Sequence, residues 1–198
     1  MENLERRDFI KTSAVVAGGA MLSSLPLSGA YAAGSDVIKV ALVGCGGRGT
    51  GATFDALSSG MNIKVVALAD AFKDNLDSTY NTLKEKWQDK IDVSDNHKFV
   101  GFDAYKDAIQ LADVVILATP PGFRPAHFEE AIRQGKHVFM EKPVAFDIPG
   151  VQQVLRAAAE AKRKKLNVVV GLQRRYQTNY REAIKRIQEG AIGDVTSG

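Results

Sequence analysis

The sequence predicts a doubly wound α/β domain on a parallel sheet, and three observations point there. Its strand-like segments, such as "VIKVALVG" (37–44) and "IKVVALAD" (63–70), are near-continuous apolar runs, as in strands covered on both faces. Helical stretches separate these runs at the spacing of strand–helix–strand crossovers. The composition, 45% hydrophobic and 25% charged over 198 residues, gives enough apolar mass for one good core.

The elements follow in order. After the first strand, 49–59 suits a short helix, and 63–70 is the second strand. A polar helical stretch runs from about 75 to 88, and "KFVGF" (98–102) reads as a short third strand. From Tyr105 to Leu111 a helix is expected, with Ala108, Ile109 and Ala112 on one face. "DVVILATPP" (113–121) is the fourth strand. Pro125 to Gln134 forms a helix, with proline in its first turn and Gly135 just past its end. "HVFM" is the fifth strand. Asp147 can cap the next helix, whose apolar positions Val151, Val154, Leu155, Ala158 and Ala161 follow the helical period. "NVVVGLQ" (167–173) is a sixth strand, and Tyr180 to Glu189 a last helix. The closing "AIGDVTSG" reads as a turn and the opening of a new strand with nothing to pair with, so a fragment of a longer chain is expected.

Net charge is +3, with the basic residues scattered apart from "KRKK" at Lys162–Lys165. That run closes a helix, where cations suit the carbonyl end of the dipole; an anion or nucleic-acid patch is the other reading. No nucleic-acid partner is expected. A single cysteine, Cys45, excludes an internal disulfide and a cysteine-rich zinc site, and no metal centre is expected.

Residues 1–33 are set apart by composition. Arg6-Arg7-Asp8-Phe9-Ile10-Lys11 resembles the twin-arginine export signal, which normally reads Ser/Thr-Arg-Arg-x-Phe-Leu-Lys; Glu5 and Ile10 depart from it. The following apolar run is broken by Gly18, Gly19, Ser23, Ser24 and Pro26, too interrupted for stable membrane insertion. Ala30-Tyr31-Ala32 suits cleavage. The expectation is a signal peptide over 1–33, a twin-arginine translocase as partner and a periplasmic location; the alternative is an amphipathic or disordered tail.

"VALVGCGGRGTG" holds Gly44-Cys45-Gly46-Gly47-Arg48-Gly49, a G-x-G-x-x-G placed between a strong strand and a helix. There Gly44 permits a tight turn, Gly46 lets the backbone approach a pyrophosphate, and Gly49 lets helix and strand pack closely; the helix start, with Gly47, offers free amides. Asp70 ends the second strand, where a carboxylate accepts bonds from ribose hydroxyls and repels a 2′-phosphate. NAD is therefore expected over NADP, although Lys73 nearby softens the preference. Arg48 either reaches a phosphate or faces solvent.

In such sheets ligands lie beyond the carboxyl ends of the strands. The fourth strand ends in Ala118-Thr119-Pro120-Pro121, a stiff loop suited to the nicotinamide ribose, with His127 following in a helix start. His127 is a cofactor contact or a locally satisfied histidine; His97 and His137 have no evident partners. The fifth strand ends in Glu141-Lys142-Pro143 and the sixth in "GLQRRYQTNY". Adjacent arginines at a strand end point to opposite sides. Arg174 is assigned to the cofactor, and Arg175 with Tyr176 to the substrate.

Together "VGCGGRG", "ALAD", "ATPP…H", "EKPVA" and "GLQRRY" resemble the Gfo/Idh/MocA family of glucose–fructose oxidoreductase and inositol dehydrogenase, over residues 37–198. The resemblance implies a Rossmann domain over 34–175 and, from 176, the start of a substrate domain that continues past Gly198. It implies hydride transfer between NAD and a sugar or polyol, with Lys142 as catalytic and substrate-binding residue, and an aspartate and a histidine beyond Gly198 as its partners. Lys142 would orient the substrate hydroxyl and stabilise the developing alkoxide. Glu141, on the opposite strand face, is expected to bond the ribose or support the loop. Pro143 limits the wobble of Lys142, and the family often has this peptide bond cis. A homo-oligomer is expected at full length. Export adds that the cofactor is held tightly and recycled in place. Two alternatives remain: a glycosidase using NAD for transient oxidation and elimination, a branch with a different residue in place of the lysine, and a non-catalytic sugar- or nucleotide-sensing protein on the same fold.

Overall fold

The computed structural model describes residues 37–196; the proposed signal segment lies outside them. A parallel six-stranded sheet is built from β1 (Ile38–Val43), β2 (Ile63–Asp70), β3 (Lys98–Val100), β4 (Val114–Leu117), β5 (His137–Met140) and β6 (Val168–Val170), in the order β3-β2-β1-β4-β5-β6. Helices α1 (Gly47–Leu57), α2 (Lys73–Lys86), α3 (Ala104–Gln110), α4 (Arg124–Arg133) and α5 (Ile148–Arg163) connect the strands, and α6 (Gln173–Tyr176) and α7 (Thr178–Gln188) follow β6. This is the doubly wound fold the apolar runs predict. The strand order reverses between β1 and β4, so the connections after these two strands run to opposite faces of the sheet and a crevice opens beyond their carboxyl ends.

Both sheet faces carry a core. On β1, Val40 and Leu42 pack with Leu57, Leu68, Leu76 and Leu83 of one layer, while Ala41 and Val43 pack with Ile109, Phe128, Ile132 and Val154 of the other. The pleat sends successive residues to opposite faces, and each meets helices, hence the unbroken apolar sequence. In β2 the register slips by one: Val40 pairs with Val65 but Ala41 with Ala67, leaving Val66 as an extra residue. Val65 and Leu68 consequently share a face although three residues apart.

Three expectations need correction. The sixth strand stops at Val170, because Leu172 (φ −78°, ψ 69°) forms an inverse γ-turn, closed by Gln173 N donating to Gly171 O at 2.9 Å. Arg174 and Arg175 thus sit on helix α6 and not at a strand end. On α5 the buried stripe is Gly150, Val154, Ala157 and Ala161, whereas Val151 and Leu155 are exposed. His137 does have a partner, since its Nδ1 accepts from Asn167 N at 2.9 Å. The cap is as expected: Asp147 accepts from Gly150 N at 2.8 Å. Among the described residues no helix is long and apolar enough to cross a membrane.

Candidate functional site

At the carboxyl ends of β1, β2, β4 and β5 lies a cleft of about 710 Å³. Its walls bring together Gly44, Gly46, Gly47, Arg48, Asp70, Thr119, Pro120, His127, Glu141 and Lys142, all singled out in the sequence. Arg174, Arg175 and Tyr176 are not among the lining residues; they are exposed on α6, with the Arg174 guanidinium 5.5 Å from the Tyr180 ring centre.

The glycine loop has the geometry a phosphate needs. Gly44 adopts φ +98°, and a Cβ there would lie 2.6 Å from Thr119 N, so the loops after β1 and β4 touch at this point. A Cβ on Gly49 would lie 1.9 Å from Gly44 O, which fixes how closely α1 enters behind the loop. Gly46, by contrast, faces open space. No side chain caps the start of α1 and no acid stands in its first turn, leaving amides free for an anion.

Asp70 closes the loop from the β2 side. Its Oδ2 accepts from Cys45 N at 2.6 Å and its Oδ1 from Phe72 N at 2.9 Å. The carboxylate is therefore both a strand-end cap and part of the cleft wall. Beneath it the Cys45 thiol is buried, and burial with the nearby Asp70 charge raises its pKa, so it stays a protonated core group.

Arg48 is exposed on the cleft wall and also makes an ion pair that its place in the sequence does not announce. Its Nη2 donates to Oε1 of Glu141 at 2.6 Å, with the arginine half-exposed and the carboxylate buried. Glu141 faces the glycine loop on one side and Gly171 on the other, where a Cβ would press on Oε1 at 2.9 Å. The next residue, Lys142, lies past the end of β5 and is exposed on the same cleft wall, not on an opposite strand face; its ammonium has no ion pair among the described residues. The Lys142–Pro143 peptide bond is cis.

His127 is buried. Its Nδ1 lies 3.1 Å from Thr119 Oγ1, and its ring packs on Tyr105 with centres 4.1 Å apart. Desolvation, with the Arg124 charge, pushes its pKa down to about 4, so it is neutral at ordinary pH. Phe102 and Phe123, stacked 5.9 Å apart, line the cleft beside it.

Arg124 escaped the sequence reading. It is 3% exposed, and its two terminal nitrogens donate to the carbonyls of Thr119 and Pro143. The legible signal was its place: a cation in the first turn of a helix opposes the dipole, so something other than helix stability keeps it there. Phe102 and Tyr105 were also missed, being ordinary aromatics beside a weak strand.

The open face at Gly46, the uncapped helix start and the carboxylate at Asp70 suit a dinucleotide, with Gly44–Gly49 for the phosphates and Asp70 for the adenosine ribose. Comparison with known proteins agrees on a dinucleotide-binding fold. The chain is 25% identical over 213 residues to a glycosyl hydrolase family 109 protein of Solibacter usitatus, covering 100% of this chain and 45% of that one. It is 34% identical over 92 residues to inositol 2-dehydrogenase of Rhizobium meliloti, covering 45% and 27%. The crystal structure of scyllo-inositol dehydrogenase from Lactobacillus casei with bound NAD(H) and scyllo-inositol is similar at TM-score 0.62 and 26% identity, covering 81% of this chain and 43% of that one. The chain thus spans less than half the length of these relatives. The profile of the oxidoreductase family with an NAD-binding Rossmann fold matches residues 38–172, and the chain belongs to that family, Gfo/Idh/MocA.

Proposed function

We propose that the full-length protein oxidises a CH–OH group of a sugar or polyol with NAD, and that Lys142 is its catalytic residue within this chain. The observation that carries the reading is Lys142 on the wall of the same cleft as the glycine loop and Asp70, with an ammonium free to serve a ligand. Bound there, the nicotinamide would supply the hydride acceptor. Lys142 would donate a hydrogen bond to the substrate hydroxyl oxygen, orient the carbinol, and stabilise the alkoxide that develops as the hydroxyl proton passes to a base supplied by the full-length protein. Asp70 would select NAD over NADP by bonding ribose hydroxyls and repelling a 2′-phosphate. Neutral His127 would serve as a wall, not a proton carrier.

The test is Lys142→Ala in the full-length enzyme. Single-turnover NADH formation from myo-inositol, or another polyol of a panel, is expected to fall to near zero with NAD binding kept. NADH formation close to wild type would remove Lys142 from the chemistry.

A glycosidase acting by transient oxidation is the second reading, favoured by the family 109 relative that matches the chain from end to end. The lysine in "EKP" weighs against it. Cleavage of a nitrophenyl glycoside without net NADH would establish it instead. From the twin-arginine-like residues 6–11 we further infer export to the periplasm with the cofactor already bound. Purified protein that carries no dinucleotide, and needs millimolar NAD to work, would refute that.

A further inference from the structure

We propose that Arg124 is a positioning residue for Lys142: its buried guanidinium ties together the loops after β4 and β5 and so fixes the backbone that aims the lysine. The inference rests on the reading of Lys142 given above.

Arg124 is held against its local interest. It stands in the first turn of α4, where the helix dipole disfavours a cation, and it is 3% exposed, where an arginine costs free energy unless paired. Among the described residues no carboxylate hydrogen-bonds it; Glu141 acts on it only through space, and burial lowers its pKa. Its Nε, also buried, has no partner among the described residues. What it does bond are two carbonyls, Thr119 O through Nη2 and Pro143 O through Nη1. A planar fork reaches two acceptors in fixed directions, which a lysine cannot do.

Those carbonyls bracket the chemistry. Thr119 also meets His127, and Pro143 directly follows Lys142. On the other flank Glu141 is held by Arg48. Lys142 is thus tethered through both neighbours, while its own ammonium has no ion pair among the described residues. Its direction is inherited from the backbone, and the buried tether on the Pro143 side is Arg124.

The experiment uses full-length protein and two variants, Arg124→Lys and Arg124→Ala, beside Lys142→Ala. Arg124→Lys keeps the charge but loses the fork. It is expected to lower kcat for the polyol that wild type turns over by about 100-fold, the cost of a misplacement near 1 Å. The NAD dissociation constant should change by less than about threefold, as for a loss confined to the transition state. Guanidinium chloride at millimolar concentration should restore part of the rate to Arg124→Ala and none to Lys142→Ala. A readout without turnover is the labelling of Lys142 by pyridoxal phosphate and borohydride, followed by mass spectrometry. NAD should protect Lys142 in wild type and protect it poorly in Arg124→Lys. Wild-type kcat and wild-type protection in Arg124→Lys would overturn the proposal. So would a loss of NAD affinity matching the loss of rate, which would make Arg124 a cofactor contact or a purely structural residue. If Lys142→Ala keeps its turnover, the reading of the lysine fails first, whatever Arg124 does.

Discussion

Arg48 Nη2 meets Glu141 Oε1 at 2.6 Å across 93 residues of sequence, joining the glycine loop to the strand end that presents Lys142. The pair is asymmetric, with a buried carboxylate and a half-exposed guanidinium. Removing the arginine strands a charge in the interior, whereas removing both leaves little uncompensated. Arg48→Ala is expected to destabilise the protein by about 1–3 kcal/mol. Adding Glu141→Gln should recover much of that loss. Urea midpoints of the two singles and the double form the cycle that checks it; strictly additive losses would deny the pair any coupling.

The Asp70 oxygens that hold the loop amides are the ones proposed to meet the ribose. Asp70→Asn keeps an acceptor for the loop amide and removes the charge. NAD affinity should fall about tenfold, equivalent to 1.4 kcal/mol. NADP affinity should fall less, or rise, because the repulsion of a 2′-phosphate goes with the charge. Calorimetric titration with both dinucleotides decides this, and an unchanged ratio would take nucleotide selection away from Asp70.

His127 ties stability to pH. Its native pKa of about 4 lies below the ordinary 6.5, so between these values the unfolded chain binds more protons than the folded one. Its contribution is complete above about pH 6.5, declines as the pH falls toward 4, and levels off below. The whole window is worth at most about 3–4 kcal/mol at 1.36 kcal/mol per pH unit. His127→Asn lacks it, so the stability difference between wild type and variant, followed in urea, should move against wild type by up to that amount. A constant difference over the window would show that the imidazole is not held neutral.

Two glycines of one loop separate folding from binding. Gly49→Ala puts a Cβ 1.9 Å from Gly44 O, so α1 or the loop must move; a loss of at least about 2 kcal/mol is expected, with NAD binding lost as well. Gly46→Ala meets nothing within 4 Å, so its melting temperature should stay near wild type while NAD binding weakens. Thermal melts with and without NAD compare the two. Equal melting losses would mean that the loop glycines serve packing alone.

The fold was legible because a sheet covered on both sides must be written in unbroken apolar runs, and the phosphate loop because its backbone excludes side chains at Gly44 and Gly49. Asp147 was legible because a cap acts within one turn. What escaped depends on distance or on choice. Arg124 bonds two loop carbonyls, and no residue spacing encodes a carbonyl. Arg48 and Glu141 meet only after folding. On α5, periodicity shows which residues share a face but not which of two apolar faces the core will cover, so Val151 and Leu155 were misplaced. The turn at Leu172 comes from a backbone bond that its sequence does not announce.

Val66 gives β2 a spare link just upstream of Asp70, the carboxylate proposed to select the nucleotide. Without it, the strand would alternate evenly from Val65 to Asp70, and Asp70 would still stand on the face of Val65 and Leu68, beside Cys45. Homologues shorter by one residue at this point need not differ in nucleotide choice. A gap at position 66 in an alignment then records a change in the curvature of the sheet, not in its chemistry.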